Sequence, residues 1–158
     1  MARILICYYS RSGNTKKMAY LIQKGAMEEG VDVDTLDVKD VKIDSLLGYD
    51  GIILGSPTYY GLPSYQIKEL IDKSNKLHGK LEGKVGGAFS SSTNIGGGNE
   101  TTVLSILESL LIHGMVVCGD SSGDHYGPVS IEEPDSRVEI VCIRYGRRVA
   151  TLTKRLHG

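Results

Sequence analysis

Ile4-Leu5-Ile6-Cys7-Tyr8-Tyr9-Ser10-Arg11-Ser12-Gly13-Asn14-Thr15 is an apolar run that breaks into small hydroxyl residues around a glycine. The run reads as a strand covered on both faces, as in the middle of a parallel sheet. Met18, Leu21, Ile22 and Ala26 then recur at helical spacing. Ser10 to Thr15 therefore occupies the corner where a strand hands the chain to a helix. Such a corner binds anions, because the first N–H groups of a helix lack partners and the aligned peptide dipoles place about half a positive charge there. Hydroxyls at positions 10, 12 and 15 add hydrogen bonds around a phosphate, and Gly13 admits a close backbone approach. A plain helix cap by Ser12, Asn14 or Thr15 is the alternative these residues leave open. The Gly-x-x-x-x-Gly-Lys-Ser/Thr loop is absent, and no Gly-x-Gly-x-x-Gly follows the first strand.

Outward from this corner, strands and helices alternate. Gly30 ends the first helix, and Val31, Val33, Thr35 and Asp37 alternate with acidic residues as in a strand near the sheet edge. A turn of helix is expected around Val41 to Leu47, then a central third strand from Gly51 to Gly55 and a loop from Ser56 to Pro63. Ile67, Leu70, Ile71 and Leu77 mark a second helix, Val85 to Ser90 a fourth strand, and Ser91 to Gly98 a glycine-rich loop. Val103, Leu104, Leu107, Leu110 and Leu111 predict a third helix stopping near His113-Gly114, and Met115 to Cys118 a fifth strand. After a polar loop, Val138, Val141, Cys142, Tyr145, Val149, Leu152 and Leu156 form the stripe of a last helix. The pattern predicts one α/β domain over residues 1–158, a doubly wound parallel sheet with helices on both faces. Loops after strands one, three and four then meet at the carboxyl ends of the strands, where ligands of such sheets bind.

Composition narrows the function. With Lys+Arg 18 against Asp+Glu 19 the net charge is −1, which offers nothing to nucleic acid or to an anionic membrane surface. No apolar run approaches the roughly 20 residues of a membrane span, and Met1-Ala2-Arg3 leads into a strand pattern rather than a signal peptide, so a cytoplasmic protein is expected. Cys7, Cys118 and Cys142 form no Cys-x-x-Cys pair, and burial is their expected state. No metal site and no catalytic side chain is expected. Arg11 follows Cys7 too closely for the phosphate loop of a low-molecular-weight tyrosine phosphatase.

The three loops together offer a phosphate cup, two adjacent tyrosines, and a hydroxyl- and glycine-rich stretch open to a planar ligand. A terminal phosphate joined to a large heteroaromatic ring satisfies all three, and FMN is such a ligand. Tyr59 and Tyr60 stand on a Pro/Gly loop and cannot both point inward, so one is expected to be free to cover a ring.

Ser10 to Thr15 resembles the flavodoxin phosphate loop, Ser/Thr-x-Ser/Thr-Gly-x-Ser/Thr, at every position. Gly55-Ser56-Pro57-Thr58-Tyr59-Tyr60-Gly61, Phe89 to Ser92, Gly96 to Thr101, His113-Gly114-Met115 and Tyr126-Gly127 are similar to the flavodoxin-like NAD(P)H:quinone oxidoreductases of the WrbA type. The resemblance implies the strand order 2-1-3-4-5 and FMN as cofactor. By matching position it implies that Ser10, Arg11, Ser12, Gly13, Asn14 and Thr15 hold the phosphate. Pro57, Thr58, Tyr59, Tyr60 and Gly61, with Ser91, Ser92, Thr93, Asn94, Ile95, Gly96 and Gly97, would border the isoalloxazine, and Tyr126 would close the rim.

Two functions remain open at this stage. The first is an electron carrier between protein partners, with Gly61 permitting a peptide to turn toward the flavin N5. The second is an NAD(P)H-dependent quinone or flavin oxidoreductase. Against the second stand Ile112, where those enzymes have the first of two histidines, the lack of any tryptophan, and a short connection after strand two. His113 is read as a cation at a helix C-terminus. The oxidoreductases form tetramers with shared sites and flavodoxins are often monomers, so the homo-oligomeric state stays open. Gly119-Asp120-Ser121-Ser122-Gly123 matches Gly-x-Ser-x-Gly, but the elbow of esterases needs a helix next, and a loop follows. Receiver domains need acidic strand ends where Tyr8-Tyr9-Ser10 and Gly55-Ser56-Pro57 stand.

Overall fold

The computed structural model describes residues 1–158. Strand β1 (Arg3–Tyr8) leads to helix α1 (Asn14–Met27) and strand β2 (Asp32–Asp37). Two short 3-10 turns, Val38–Asp40 and Ile43–Gly48, precede β3 (Gly51–Tyr59), β4 (Leu62–Pro63) and α2 (Tyr65–Lys73). Then follow β5 (Val85–Ser92), α3 (Asn99–Ile112), β6 (Val116–Val117), β7 (Val129–Ile131) and α4 (Ser136–His157). The parallel sheet runs β2-β1-β3-β5-β6, which is the expected 2-1-3-4-5 order once the short β4 is set aside. No helix is long and apolar enough to cross a membrane.

The pleat of β1 divides the core in two, since successive side chains leave a strand on opposite faces. Ile4, Ile6 and Tyr8 join Met18 and Ile22 of α1 and Cys142, Tyr145 and Val149 of α4. Leu5 and Cys7 join Ile67 and Leu70 of α2 and Val103 and Ile106 of α3. Burial pushes the thiols of Cys7 and Cys142 well above the ordinary range, as expected of packing residues. Cys118, read as a strand residue, instead lies half-buried just past β6.

Helices α1 and α4 cross through Gly25 and Gly146. A Cβ on Gly25 would lie 1.9 Å from the Ile143 carbonyl oxygen, and one on Gly146 would lie 2.0 Å from that of Ile22. Only glycine permits backbones to approach so closely.

Two strands run further than in the sequence reading. Strand β3 continues through Ser56, Pro57 and Thr58 instead of entering a loop at Gly55. Proline is tolerated because β1 has ended, its last pair being Tyr8 with Gly55, while β5 still pairs Pro57 with Ser91. The chain then reverses through a two-residue hairpin, with φ positive at Tyr60 (50°) and Gly61 (76°). Strand β5 likewise extends to Ser92.

The fifth strand is split. Strand β6 pairs with Val85 and Gly86, and β7, which lies inside the stretch read as loop, pairs with Ser90 to Ser92. Between them the chain bulges outward, so the N–H of Ala88 has no strand to meet. It donates to the buried hydroxyl of Tyr145 at 3.0 Å instead. The bulge is stapled to α4 through Asp120 with Arg144 (2.9 Å) and Asp124 with Arg137 (2.8 Å). Turns, not a helix, follow Gly119 to Gly123, so no nucleophile elbow forms.

His113 does stand at the end of a helix, but not as the cation read from the sequence. It is buried at the end of α3, with Nε2 2.8 Å from Ser74 Oγ, whose own proton goes to the Ile71 carbonyl. Nε2 therefore carries the imidazole proton, and Nδ1 is left without a partner beside a small apolar cavity of about 20 Å³. Burial, and then the ring of His78 with its centroid 6.0 Å away, lower its pKa and keep it neutral.

Candidate functional site

The loop after β1 is held by its own first residue. Ser10 Oγ accepts hydrogen bonds from the N–H groups of Gly13 (3.1 Å) and Lys16 (3.2 Å), which curls the backbone back on itself. Gly13 takes φ 100° at the helix N-cap position, where a side chain would be strained. The N–H groups of Arg11, Ser12, Asn14 and Thr15 make no hydrogen bond within the fold. Thr15 is buried, and its hydroxyl meets Ser91 Oγ at 2.9 Å, tying the start of α1 to the end of β5. Four unpaired amides at a helix N-terminus are the arrangement that suits an anion.

A concavity of about 460 Å³ opens beside this loop. It brings together Arg11, Ser12 and Asn14 with Pro57, Thr58 and Tyr59 and with Ser91, Ser92 and Thr93. Its floor is a net of hydroxyls: Thr58 Oγ1 lies 2.9 Å from Ser90 Oγ, which donates to the Ser56 carbonyl at 2.7 Å. Ser92 Oγ donates to the Asn94 carbonyl (3.1 Å) and accepts from Asn99 Nδ2 (2.9 Å), which orders the turn that follows. Tyr59 is half-buried, and its phenol pKa is raised by burial and by Tyr9, with the Arg11 guanidinium pulling the other way.

The two ring-side loops touch through glycines. A Cβ on Gly98 would lie 2.6 Å from Gly61 Cα, and Thr101 Oγ1 sits 2.8 Å from the Gly61 carbonyl. Tyr60, Asn94, Ile95, Gly96 and Gly97 stand on the exposed rim rather than in the concavity. Tyr126 lies apart from them, lining a separate cavity of about 300 Å³ with Glu100, Val103 and His125. The residues present suit a phosphorylated planar ligand: free amides and hydroxyls at one end, an aromatic hairpin and bare glycines at the other.

A family model described as Flavodoxin matches residues 6–133. The chain belongs to the flavodoxin family. A flavodoxin of Aquifex aeolicus (strain VF5) is 42% identical over 159 positions, covering 95% of this chain and 86% of that one. An NAD(P)H dehydrogenase (quinone) of Nitrobacter winogradskyi is 34% identical with both chains covered in full. Its alignment needs 199 positions for the 158 residues here, so that relative carries segments this chain lacks. Among solved structures, a flavodoxin, WrbA-like protein from Agrobacterium tumefaciens matches with a TM-score of 0.83 at 27% identity, over 99% of each chain.

In this flavodoxin-family chain the concavity has two lining residues that the sequence reading missed, Glu132 and Glu133. They directly follow β7, which returns the chain to the carboxyl edge of the sheet beside Ser92. The available signal was the short alternation Val129-Ser130-Ile131 after Gly127-Pro128, too brief to separate from loop.

Proposed function

We propose that the chain is an FMN-binding electron carrier that serves protein partners. What supports the reading is the loop from Ser10 to Thr15, with four unpaired amides, three of them on residues (Arg11, Ser12 and Asn14) that line a concavity shared with both ring-side loops. Arg11, Ser12, Asn14 and the backbone of Thr15 would hold the phosphate, while Pro57 to Gly61 and Ser91 to Gly97 would border the ring. Bound there, FMN supplies the redox chemistry, and the protein supplies position and electrostatics. Tyr60 and Ile95 are exposed on the rim, with Leu62 and Tyr65 beside them, and would present apolar surface to a partner. The Gly61 carbonyl is engaged by Thr101, so the peptide able to turn toward the ring is the one joining Tyr60 to Gly61.

The compact alignment with the Aquifex flavodoxin, 159 positions for 95% of this chain, favours the carrier. The second reading, NAD(P)H-dependent quinone reduction, is favoured by full-length similarity to a protein of that name. One anaerobic experiment separates them: load the protein with FMN and mix it with NADH or NADPH. Bleaching by neither nucleotide, with chemical reduction proceeding in two one-electron stages, is expected of the carrier. Rapid two-electron bleaching followed by fast reoxidation with benzoquinone would replace that reading with the enzyme.

A further inference from the structure

Glu132 and Glu133 share the wall of the concavity with Arg11, Ser12 and Asn14. Glu132 holds φ at 55°, a region that non-glycine residues enter at a cost. Two hydrogen bonds keep it there: its N–H donates to the Ser92 carbonyl (2.7 Å) and its carbonyl accepts from Ser130 Oγ (2.9 Å). Glu133 pairs with Lys17 Nζ, which extends from the first turn of α1. Lys17 is thus already matched, Lys16 does not line the concavity, and among the lining residues Glu132 is accompanied by one cation, Arg11.

We propose that Glu132 and Glu133 form an acidic lip that limits how tightly the cup retains a phosphate ester, making FMN an exchangeable ligand. The inference rests on the flavin reading given above. A phosphate monoester carries about −1.5 to −2 charges near pH 7. At physiological salt, charges act on one another over roughly 8–10 Å, and the two carboxylates line the same concavity as Arg11, Ser12 and Asn14. Glu132 acts by direct repulsion, and Glu133 acts by neutralising Lys17. Recognition by amides and hydroxyls is untouched, so the lip lowers affinity without altering the geometry of the cup. Riboflavin, which has no phosphate, does not sense it.

The test is a fluorescence titration of the apo-protein with FMN and, separately, with riboflavin. Wild type, Glu132→Gln, Glu133→Gln and the double variant are compared, each checked for an unchanged thermal melt. Each single substitution is expected to tighten FMN binding roughly three- to tenfold at low ionic strength, with the gain shrinking at about 0.5 M salt. Riboflavin binding stays constant, and adding Lys17→Gln to Glu133→Gln reverses that variant's gain. An unchanged or weaker FMN affinity in the double variant overturns the lip, as does an equal gain for riboflavin. Wild type binding FMN no more tightly than riboflavin would remove the phosphate cup itself, an outcome read before any variant is made.

Discussion

Thr15, in the first turn of α1, and Tyr60, on the hairpin after β3, stand at the same edge of the sheet, yet Thr15 is 2% exposed and Tyr60 is 105% exposed. The loop after β1 spends Ser10 and Thr15 on internal hydrogen bonds, and thereby leaves its neighbouring amides free in a fixed array. The hairpin after β3 does the opposite. It projects an aromatic side chain into water from a residue at positive φ, a conformation nothing in its own side-chain contacts repays. One loop is complete without a ligand, and the other gains its contacts from whatever lies beside it. Stability and ligand binding should therefore respond differently to substitution in the two.

Gly55→Ala is the severest way to break this contrast, because Gly55 lies beneath both loops. Its carbonyl accepts from the Tyr9 N–H, and a Cβ there would fall 2.0 Å from the Phe89 ring. Overpacking of this kind should cost about 3 kcal/mol, and denaturant melts should show it together with loss of flavin binding. A binding-competent protein of wild-type stability would mean that Phe89 has room to move.

Ser10→Ala is narrower. Two amides lose their acceptor, with an expected loss of about 1 kcal/mol, comparable to removing a helix cap. FMN affinity should fall while riboflavin affinity holds. A parallel fall for both would show that Ser10 shapes more than the phosphate end.

The far edge of the sheet supplies a control. His113 is kept neutral in the fold, its pKa lowered by burial and by His78. A histidine shifted in this direction contributes stability above its unfolded value near 6.5, and that contribution is lost as pH falls below it. Thermal melts from about pH 7 down to about pH 5 should show the loss, and His113→Gln should flatten it. An unaltered acid profile in that variant would assign the sensitivity to the carboxylates.

Tyr60→Asn is the mildest case. Asparagine tolerates positive φ, so stability should stay the same or rise by less than about 1 kcal/mol. FMN and riboflavin should weaken together, by roughly three- to tenfold, since the ring contact is common to both. A change confined to FMN would move Tyr60 from the ring end to the phosphate end.

Much of this was legible in the chain itself. The both-face apolar run of Ile4 to Tyr8, the stripe from Met18 to Ala26 and the hydroxyls around Gly13 are local patterns, and local patterns specify strand, helix and turn directly. The order of the loops, and hence their meeting at one edge, follows from alternation of the elements. Less legible were features whose cause lies far along the sequence. Pro57 can continue β3 only because β1 has already ended, and Val129 to Ile131 becomes a strand only because β5 offers Ser90 to Ser92 beside it. His113 follows the same rule, since a helix end looks solvated until Ser74 and the apolar cavity enclose it.

The sequence by itself determined the sheet, its wrapping helices and the strand-to-helix corner at Ser10 to Thr15, because each depends on residues a few positions apart. Only the tertiary structure decided that Glu132 and Glu133 face that corner and that Lys17 is already paired across it. Charge acts through space rather than along the chain, and more than a hundred residues of chain separate Lys17 from its partner Glu133.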